Sequence, residues 1–372
     1  MKKLLIAACV ALLASQAQAA DTVRIGVQGA HSGDLASYGV PSLNAVKIVV
    51  DEVNANGGVL GKMVEVVAQD DQCKPEMATS AATKLVSDKV DAVVGPICSG
   101  PTVASLPLFQ NAGILAISPT ATTPALTETG KNPLFMRTVA KDNAQAALTS
   151  DFMLNNLKAK KVAYLHDNGE YGKGFADYNR ELMEKGGAET VLFEAVTPDA
   201  VDFSAVVRKL RRAKPDVVVF GGYHPVASKL VQQMRRDRLD TPFLGPDGVK
   251  DETFLKMTGK DGEGVYASYP RDTTSLAAYK KATEQHLKAY GTEPGFGYYN
   301  AYAATQALLD AIAKTGGTDT EQLNKALREN YVETPLGRIR FNDKGDAAGM
   351  GLSIYEVKDG KFVELDKNLV LE

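Results

Sequence analysis

Residues 91–102 read DAVVGPICSGPT and give the clearest local indication of the fold. Asp91 to Gly95 is a short apolar run bounded by a turn signal, which is typical of a strand buried on both faces. Ser99 stands where it can cap a helix, and a proline follows at the opening turn. A strand leading through a short loop into a helix is one unit of a parallel α/β sheet, and the helix start offers free N–H groups to an anion.

The same alternation of apolar strand and helix extends in both directions from this unit. Further strands are predicted at Val23–Val27, Val64–Val67 and Ile114–Ile117. Helical stretches are predicted near 40–55, 75–88 and 101–111. The alternation predicts a doubly wound lobe with a mostly parallel sheet.

A second series of the same kind begins after Phe135–Thr138. Its predicted strands are 162–165, 191–193, 217–220, 243–245 and 265–267. Its helical stretches lie near 143–157, 172–186, 202–213 and 224–237. The fold class is therefore α/β with two doubly wound lobes in tandem, although the halves share no clear sequence repeat.

The C-terminal third does not continue this alternation of strands and helices. Helices are predicted near 274–290, 298–314 and 319–330 without strands between them, and a hairpin turn follows at 358–361. We expect these helices to return to the first lobe and the hairpin to the second, so that the chain crosses near 138–142, 268–272 and 348–353. The predicted domains are lobe 1 at 20–140 plus 271–348 and lobe 2 at 141–270 plus 349–372, joined by a three-segment hinge that favours bending.

The first nineteen residues have the order of a secretory signal peptide. Lys2 and Lys3 precede an apolar run from Leu4 to Ala14, and small residues lead to a predicted cleavage after Ala19. The run is too short to cross a membrane. An alternative is acylation at Cys9, but the apolar core continues past Cys9 where a lipoprotein would begin a polar tether.

Composition excludes some partners. Without the leader, 353 residues remain, which suits two domains, and basic residues fall from 42 to 40 against 45 acidic ones. The formal net charge therefore moves from −3 to −5, which argues against nucleic acid as a partner. Of three cysteines, Cys73 and Cys98 remain, and an even pair in an exported protein predicts a disulfide rather than a metal or redox site.

Candidate binding residues follow the predicted strands, because ligands of open α/β sheets lie beyond the carboxyl ends of strands. Ser99 follows one strand, and the hydroxyl-rich segment 118–124 follows the next. Ser99 and Thr122 can bond a carboxylate, or they can cap their own backbone. Asp247 follows a strand of the second series, where it is a turn residue or the partner of a cation. Together these groups complement a zwitterion such as an α-amino acid.

Aromatic residues also stand after strands or in loops. They are Tyr38, Tyr171, Tyr223 and Phe296. Each can be ordinary packing, but together they suit the walls of an apolar pocket.

Several motifs resemble the periplasmic branched-chain amino acid binding proteins that serve ABC importers, over nearly the whole mature chain. The matching motifs are Asp70–Cys73, Val94–Ser99, Ile117–Thr122, His166–Asp167 with Tyr171–Gly172, Gly221–Pro225 and Gly245–Val249. The resemblance implies the type I periplasmic binding protein fold, a periplasmic location and a monomer that hands an aliphatic amino acid to a membrane permease. It implies no cofactor, no metal and no catalytic residue.

The resemblance also implies roles for individual residues. Ser99 and Thr122 would bind the ligand carboxylate, and the Thr120 carbonyl and Asp247 would hold the ammonium. The rest of the site would comprise Tyr38, Ile97, Ala121, Tyr171, Tyr223 and Phe296. The family's Leu, Ile and Val binders usually carry glutamate where Asp247 stands, so the acid of this chain is one methylene shorter.

Two other classes of function are considered. An enzyme would draw on His166–Asp167 or Tyr223–His224, but neither pair forms a catalytic motif, and the chain has no Walker loop, nucleophile elbow or dinucleotide fingerprint. A soluble ligand sensor would have the same sequence features as a transport component. A binder of another small amino acid or amide is the remaining alternative.

Overall fold

The computed structural model describes residues 22–370, with side chains up to residue 365. The predicted leader, 1–19, and the alternative acylation at Cys9 lie outside the described residues.

The first sheet contains five parallel strands. In chain order this part of the chain comprises β1 (Val23–Gly29), α1 (Ala36–Ala55), β2 (Val64–Asp70), α2 (Pro75–Ser87), β3 (Ala92–Val94), α3 (Ser99–Asn111), β4 (Leu115–Ser118), α4 (Ala125–Glu128) and β5 (Phe135–Arg137). The strand order is β2-β1-β3-β4-β5. Buried Val, Ile, Leu and Ala fill its strands, as expected when helices cover both faces.

The second sheet repeats this topology and adds two strands. Its elements are α5 (Asp142–Asn155), β6 (Lys161–His166), α6 (Glu170–Lys185), β7 (Glu189–Ala195), α7 (Ser204–Ala213), β8 (Val217–Gly221), α8 (His224–Arg236), β9 (Phe243–Gly245), α9 (Glu252–Thr258) and β10 (Val265–Pro270). The order β7-β6-β8-β9-β10 matches that of the first sheet. The α/β prediction with two doubly wound lobes is therefore confirmed.

The C-terminal third supplies three helices and two strand groups. The elements are α10 (Ala277–Tyr290), α11 (Tyr298–Thr315), α12 (Thr320–Glu329), β11 (Val332–Thr334), β12 (Gly337–Phe341), β13 (Ala347–Ala348), β14 (Gly351–Lys358) and β15 (Lys361–Val370). Helix α11 shares one apolar core with α1, and β14 pairs antiparallel with β10. The limits of the two predicted domains, including the crossing points, stay a prediction.

A small antiparallel sheet of β11, β12 and β13 corrects the sequence analysis, which placed no strands between the last helix and the final hairpin. These strands have two to five residues, and only β12 alternates exposed charged side chains, Arg338 and Arg340, with buried apolar ones. Such short segments carry too little periodicity to stand out in a sequence. The predicted hairpin turn is confirmed, because β14 ends at Lys358 and β15 begins at Lys361.

The predicted disulfide is confirmed. Cys73 and Cys98 are bonded across a separation of 25 residues, with their Cα atoms 5.6 Å apart. Cys73 lies in the loop after β2 and Cys98 in the loop after β3, so the bond ties the carboxyl ends of the two strands that flank β1.

Two glycines allow close packing at the corresponding edge of the second sheet. A Cβ on Gly221, at the end of β8, would lie 1.8 Å from the Gly172 carbonyl oxygen, and a Cβ on Gly172 would lie 2.4 Å from the Gly221 oxygen. Only glycine fits such an approach of two backbones. The contact positions the first turn of α6, which carries Tyr171.

We expect Gly221→Ala to lower the stability of the protein by about 1–3 kcal/mol, because the added methyl group overpacks the contact between β8 and α6. Thermal unfolding followed by circular dichroism measures the change. Gly317→Ala is the matched control, since a Cβ there meets nothing within 4 Å, and it should leave the midpoint unchanged. Equal midpoints for the two variants would contradict the proposed tight contact.

Candidate functional site

The carboxyl ends of the parallel strands of both sheets surround one narrow cavity. It is lined by Tyr38, Ile97, Cys98, Thr120, Tyr171, Tyr223, Asp247, Gly248 and Phe296. Seven of the ten predicted site residues are in this set, and the other three, Ser99, Ala121 and Thr122, are buried in the same loops. The cavity holds about 10 Å³, which is the room for one water molecule.

The loops after β3 and β4 are joined through Ser99. The hydroxyl oxygen of Ser99 accepts hydrogen bonds from the backbone N–H groups of Thr122 and Thr123, both at 3.2 Å. Helix α3 begins at Ser99 and its N-cap is Cys98, so the prediction that Ser99 caps the helix was wrong by one residue. The reason is tertiary, because the loop after β4 brings two N–H donors to this hydroxyl. The hydroxyl proton of Ser99 can then be donated to an acceptor in the cleft.

A buried arginine holds the loop after β4 in shape. Nη1 of Arg137 donates to the carbonyl oxygens of Ala121 at 3.0 Å and Thr123 at 2.9 Å, and Nε pairs with Asp346 at 2.7 Å. Its Nη2 donates to the hydroxyl of Thr127. Sequence reasoning missed Arg137, since its binding partners are up to 209 residues away along the chain. It fixes the backbone on either side of Thr122.

Asp247 supplies a buried carboxylate from the second sheet. It stands directly after β9 in a short 3-10 turn and is 2% exposed. Its Oδ1 accepts hydrogen bonds from the Tyr171 hydroxyl at 2.5 Å and from the Gly248 N–H at 3.0 Å. Burial raises the pKa of Asp247 to about 6, against the opposing effect of hydrogen bonds from Tyr171, Gln145 and backbone N–H groups. At neutral pH the Asp247 carboxylate is therefore ionised, and few neighbouring groups offset its negative charge.

Tyr38 connects the two halves of the cleft. Its hydroxyl donates to the Gly248 carbonyl oxygen at 2.6 Å, so its single proton is used there. His224 Nδ1, at 2.6 Å from the same hydroxyl, must therefore be the donor of that bond. Burial lowers the pKa of His224, which favours the neutral ring with its proton on Nδ1. From the sequence, His224 was named as an enzyme candidate and as part of the motif Gly221–Pro225, but its contact with Tyr38 was not predicted.

Aromatic rings form the apolar wall of the cleft. The ring centroids of Tyr38 and Phe296 are 4.7 Å apart, those of Tyr171 and Tyr223 are 4.9 Å apart, and those of Tyr38 and Tyr223 are 5.7 Å apart. Such edge-to-face and tilted contacts hold the rings in place. The wall is suited to an aliphatic group.

The remaining enzyme candidates have local structural roles. Nδ1 of His166 accepts from the Asn168 N–H at 3.1 Å, and the ring packs on Phe193. Oδ1 of Asp167 accepts from the Gly169 N–H at 2.9 Å. Within residues 22–365, no three His, Cys, Asp or Glu side chains are grouped to hold a metal ion. In the same range, no helix has the length and apolar character needed to span a membrane.

The two lobes have the same strand order, and polar and aromatic side chains from both lie between the ends of their strands. This arrangement is that of a protein that encloses a small solute. Residues 22–361 match the periplasmic binding protein family, and the chain belongs to that family. It is a solute-binding transport component rather than an enzyme.

Characterised relatives extend over nearly the same length. The leucine-, isoleucine-, valine-, threonine- and alanine-binding protein of Pseudomonas aeruginosa is 35% identical over 357 residues, which cover 96% of this chain and 95% of that protein. The Leu/Ile/Val-binding protein of Escherichia coli K12 is 32% identical over 355 residues, covering 95% and 96%. A crystal structure of the branched-chain amino acid transporter substrate-binding protein LivJ of Streptococcus pneumoniae, in complex with isoleucine, matches with a TM-score of 0.84 at 29% identity and covers 93% of this chain and 100% of that one.

We expect Asp247→Asn to stabilise the protein freed of bound solutes at pH 8. The folded-state pKa of Asp247, about 6, lies above the ordinary value of 3.8, so ionising this carboxyl costs stability. The cost is complete above pH 6 and disappears as the pH falls below about 4. Two pKa units correspond to about 3 kcal/mol, so the variant should unfold at a higher temperature at pH 8 and at nearly the wild-type temperature at pH 4.

Thermal unfolding at both pH values measures this difference. The control is Asp199→Asn, which removes an exposed carboxylate and should leave the midpoint unchanged at either pH. A destabilised Asp247→Asn variant at pH 8 would contradict an unfavourable buried charge.

Proposed function

We propose that this protein captures a free aliphatic amino acid, leucine, isoleucine or valine, in the cleft between its two sheets. One observation carries the proposal: the Ser99 and Thr122 hydroxyls and the start of α3 lie on one sheet's side of the cleft, and the buried carboxylate of Asp247 lies on the other. An α-amino acid has one charged group for each side, and the aromatic wall suits its side chain. The relatives from P. aeruginosa, E. coli and S. pneumoniae, which are binding proteins for branched-chain amino acids, support this ligand class.

Each end of the ligand would have its own partners. The Ser99 hydroxyl and the start of α3 would bind the carboxylate, helped by the Thr122 loop that Arg137 holds. The Thr120 carbonyl and Asp247 would bind the ammonium. The aliphatic side chain would contact Ile97, Ala121 and the aromatic residues Tyr38, Tyr171, Tyr223 and Phe296.

Binding requires the cleft to open. The cavity of about 10 Å³ is much smaller than an amino acid, so the lobes must separate to admit one. Breaking the Tyr38 hydrogen bonds to Gly248 and His224 would allow this, and closure would remove water from the ligand. In the drier site, charge-assisted hydrogen bonds strengthen, and a ligand charge left unpaired would cost several kcal/mol.

The proposed location and membrane partner rest on the family and on the predicted leader. A periplasmic protein, exported by a signal peptide that ends at Ala19, would deliver its ligand as a monomer to the membrane permease of an ABC importer. The hinge between lobe 1 (20–140 plus 271–348) and lobe 2 (141–270 plus 349–372) would allow the permease to recognise the closed form. Neither a nucleic acid nor a cofactor takes part.

The ligand class is tested by isothermal titration calorimetry on protein that has been unfolded, dialysed and refolded to remove bound solutes. Leucine, isoleucine and valine should bind, whereas a panel of acidic, basic and amide amino acids should bind far more weakly. One methylene is worth about 1–3 kcal/mol in an apolar pocket, so the three aliphatic ligands should differ measurably. If an amide or polar amino acid binds and none of the three aliphatic ones does, the proposed ligand is wrong. The assignment to the family would be unaffected.

The role of Asp247 is tested by Asp247→Asn. A hydrogen bond to a charged group contributes about 1.5–3 kcal/mol, so leucine affinity should fall by tenfold or more in calorimetry at pH 7.5. The exposed Asp199→Asn variant should bind leucine as the wild type does. Unchanged leucine affinity in Asp247→Asn would remove Asp247 from the proposed site.

A further inference from the structure

The first residue of α8, His224, lies at the contact between the two halves of the cleft. Its Nδ1 is 2.6 Å from the Tyr38 hydroxyl oxygen, and its backbone N–H donates to the same oxygen at 3.4 Å. Tyr38 belongs to α1, which packs on the first sheet, whereas α8 packs on the second. Both side chains are 2% exposed. The contact therefore buries an imidazole ring between two parts of the protein that must separate to admit a ligand.

His224 acts on the site through Tyr38. Tyr38 lines the cavity, and His224 is not among the lining residues. The centroid of the Tyr38 ring is 5.2 Å from that of the imidazole, 4.7 Å from that of Phe296 and 5.7 Å from that of Tyr223. The Tyr38 hydroxyl also donates to the Gly248 carbonyl oxygen at 2.6 Å. His224 is therefore a positioning residue, because it holds the ring around which the apolar wall is assembled.

The closed cleft favours the neutral form of His224. The ring is removed from water, and it stands at the start of a 13-residue helix, where the helix dipole disfavours a cation. Burial lowers the pKa of His224, and the nearby acids Asp251 and Asp34 oppose this effect only in part. A protonated ring could still donate from Nδ1, so the cost of protonation is electrostatic and not a lost hydrogen bond. The titratable groups that face His224 and its hydroxyl partner are Tyr38, Asp34, Asp251, Tyr223 and Asp247.

We propose that His224 is a proton-sensitive latch: the neutral ring holds Tyr38 in the closed cleft, and protonation of the ring in mild acid opens the cleft and releases the ligand. This inference rests on the proposed function and adds a regulation of the same site. In the open cleft, water reaches the ring, and a proton binds to it as readily as to an ordinary histidine. The open form therefore takes up a proton that the closed form excludes. Closure is fully favoured above the ordinary histidine pKa of about 6.5 and weakens as the pH falls below it.

The latch is tested by calorimetry of leucine binding between about pH 8 and about pH 5.5. In His224→Asn, the side-chain amide replaces the Nδ1–H donor and does not titrate, so the variant and the wild type should bind leucine about equally at the upper pH. At the lower pH the wild type should have lost about tenfold more affinity than the variant, since excluding one proton costs tenfold for each pH unit below the ordinary pKa. Both proteins share the titration of Asp247, so the difference between them isolates His224. The control is His286→Asn, which should follow the wild-type profile, because Nδ1 of His286 bonds the Thr292 carbonyl oxygen only six residues away.

Proton NMR tests the latch on the wild type, so the test remains decisive if His224→Asn does not fold. The chain has four histidines, and the ring-proton signal of each reports its pKa. Substituting the other three, one at a time, assigns the signal of His224. Saturating leucine should lower the pKa of His224 by at least about 1, because the bound protein is closed and the ring loses water. A residue with a purely structural role would keep the same pKa in the free and bound protein.

The outcomes separate this inference from the proposed function. If the wild type does not bind leucine at any pH, the proposed function fails and the latch fails with it. If the wild type binds leucine but its affinity falls with pH in parallel with that of His224→Asn, only the latch is overturned. A pKa of His224 that stays the same or rises when leucine binds would overturn the latch as well.

Discussion

A carboxylate held away from water at Asp247 is the constraint on which the cleft depends. Burial raises its pKa to about 6, and the hydrogen bonds from Tyr171 and Gly248 offset only part of that cost. The protein accepts this cost at a position where the opposite lobe presents hydroxyl and N–H donors. In the proposed function, the ligand ammonium would offset this charge, so the stability lost in the free protein would be recovered on binding.

The architecture follows from the need to bring these opposed groups together. Parallel strands place every following loop on the same edge of a sheet, and two sheets with the same strand order present two such edges to one another. Close contacts keep each edge in shape: Gly172 against Gly221 in the second lobe, and the Cys73–Cys98 disulfide and Arg137 in the first. Tyr38 then closes the cleft by bonding to Gly248 and His224 across it.

Much of the fold was predictable from local pattern. Apolar runs of three to five residues between amphipathic segments located every parallel strand of the two sheets except β5, and most helices within a few residues. Strand burial and helix amphipathicity are local properties. The short strands β11 to β13 were missed, since two to five residues carry little periodicity. The first residue of α3 was also misjudged, because the partner of Ser99 comes from another loop.

Local pattern and composition were enough to predict the α/β class, the two lobes, the disulfide pair and the loops that contain the candidate site residues. All of these depend on composition and on the position of residues relative to strands. Which atoms are paired depends on the tertiary structure. Arg137 reaches Asp346 over 209 residues, and Tyr38 reaches Gly248 over 210. The energy of a buried polar group depends on its partners in space, and one-dimensional spacing does not specify them.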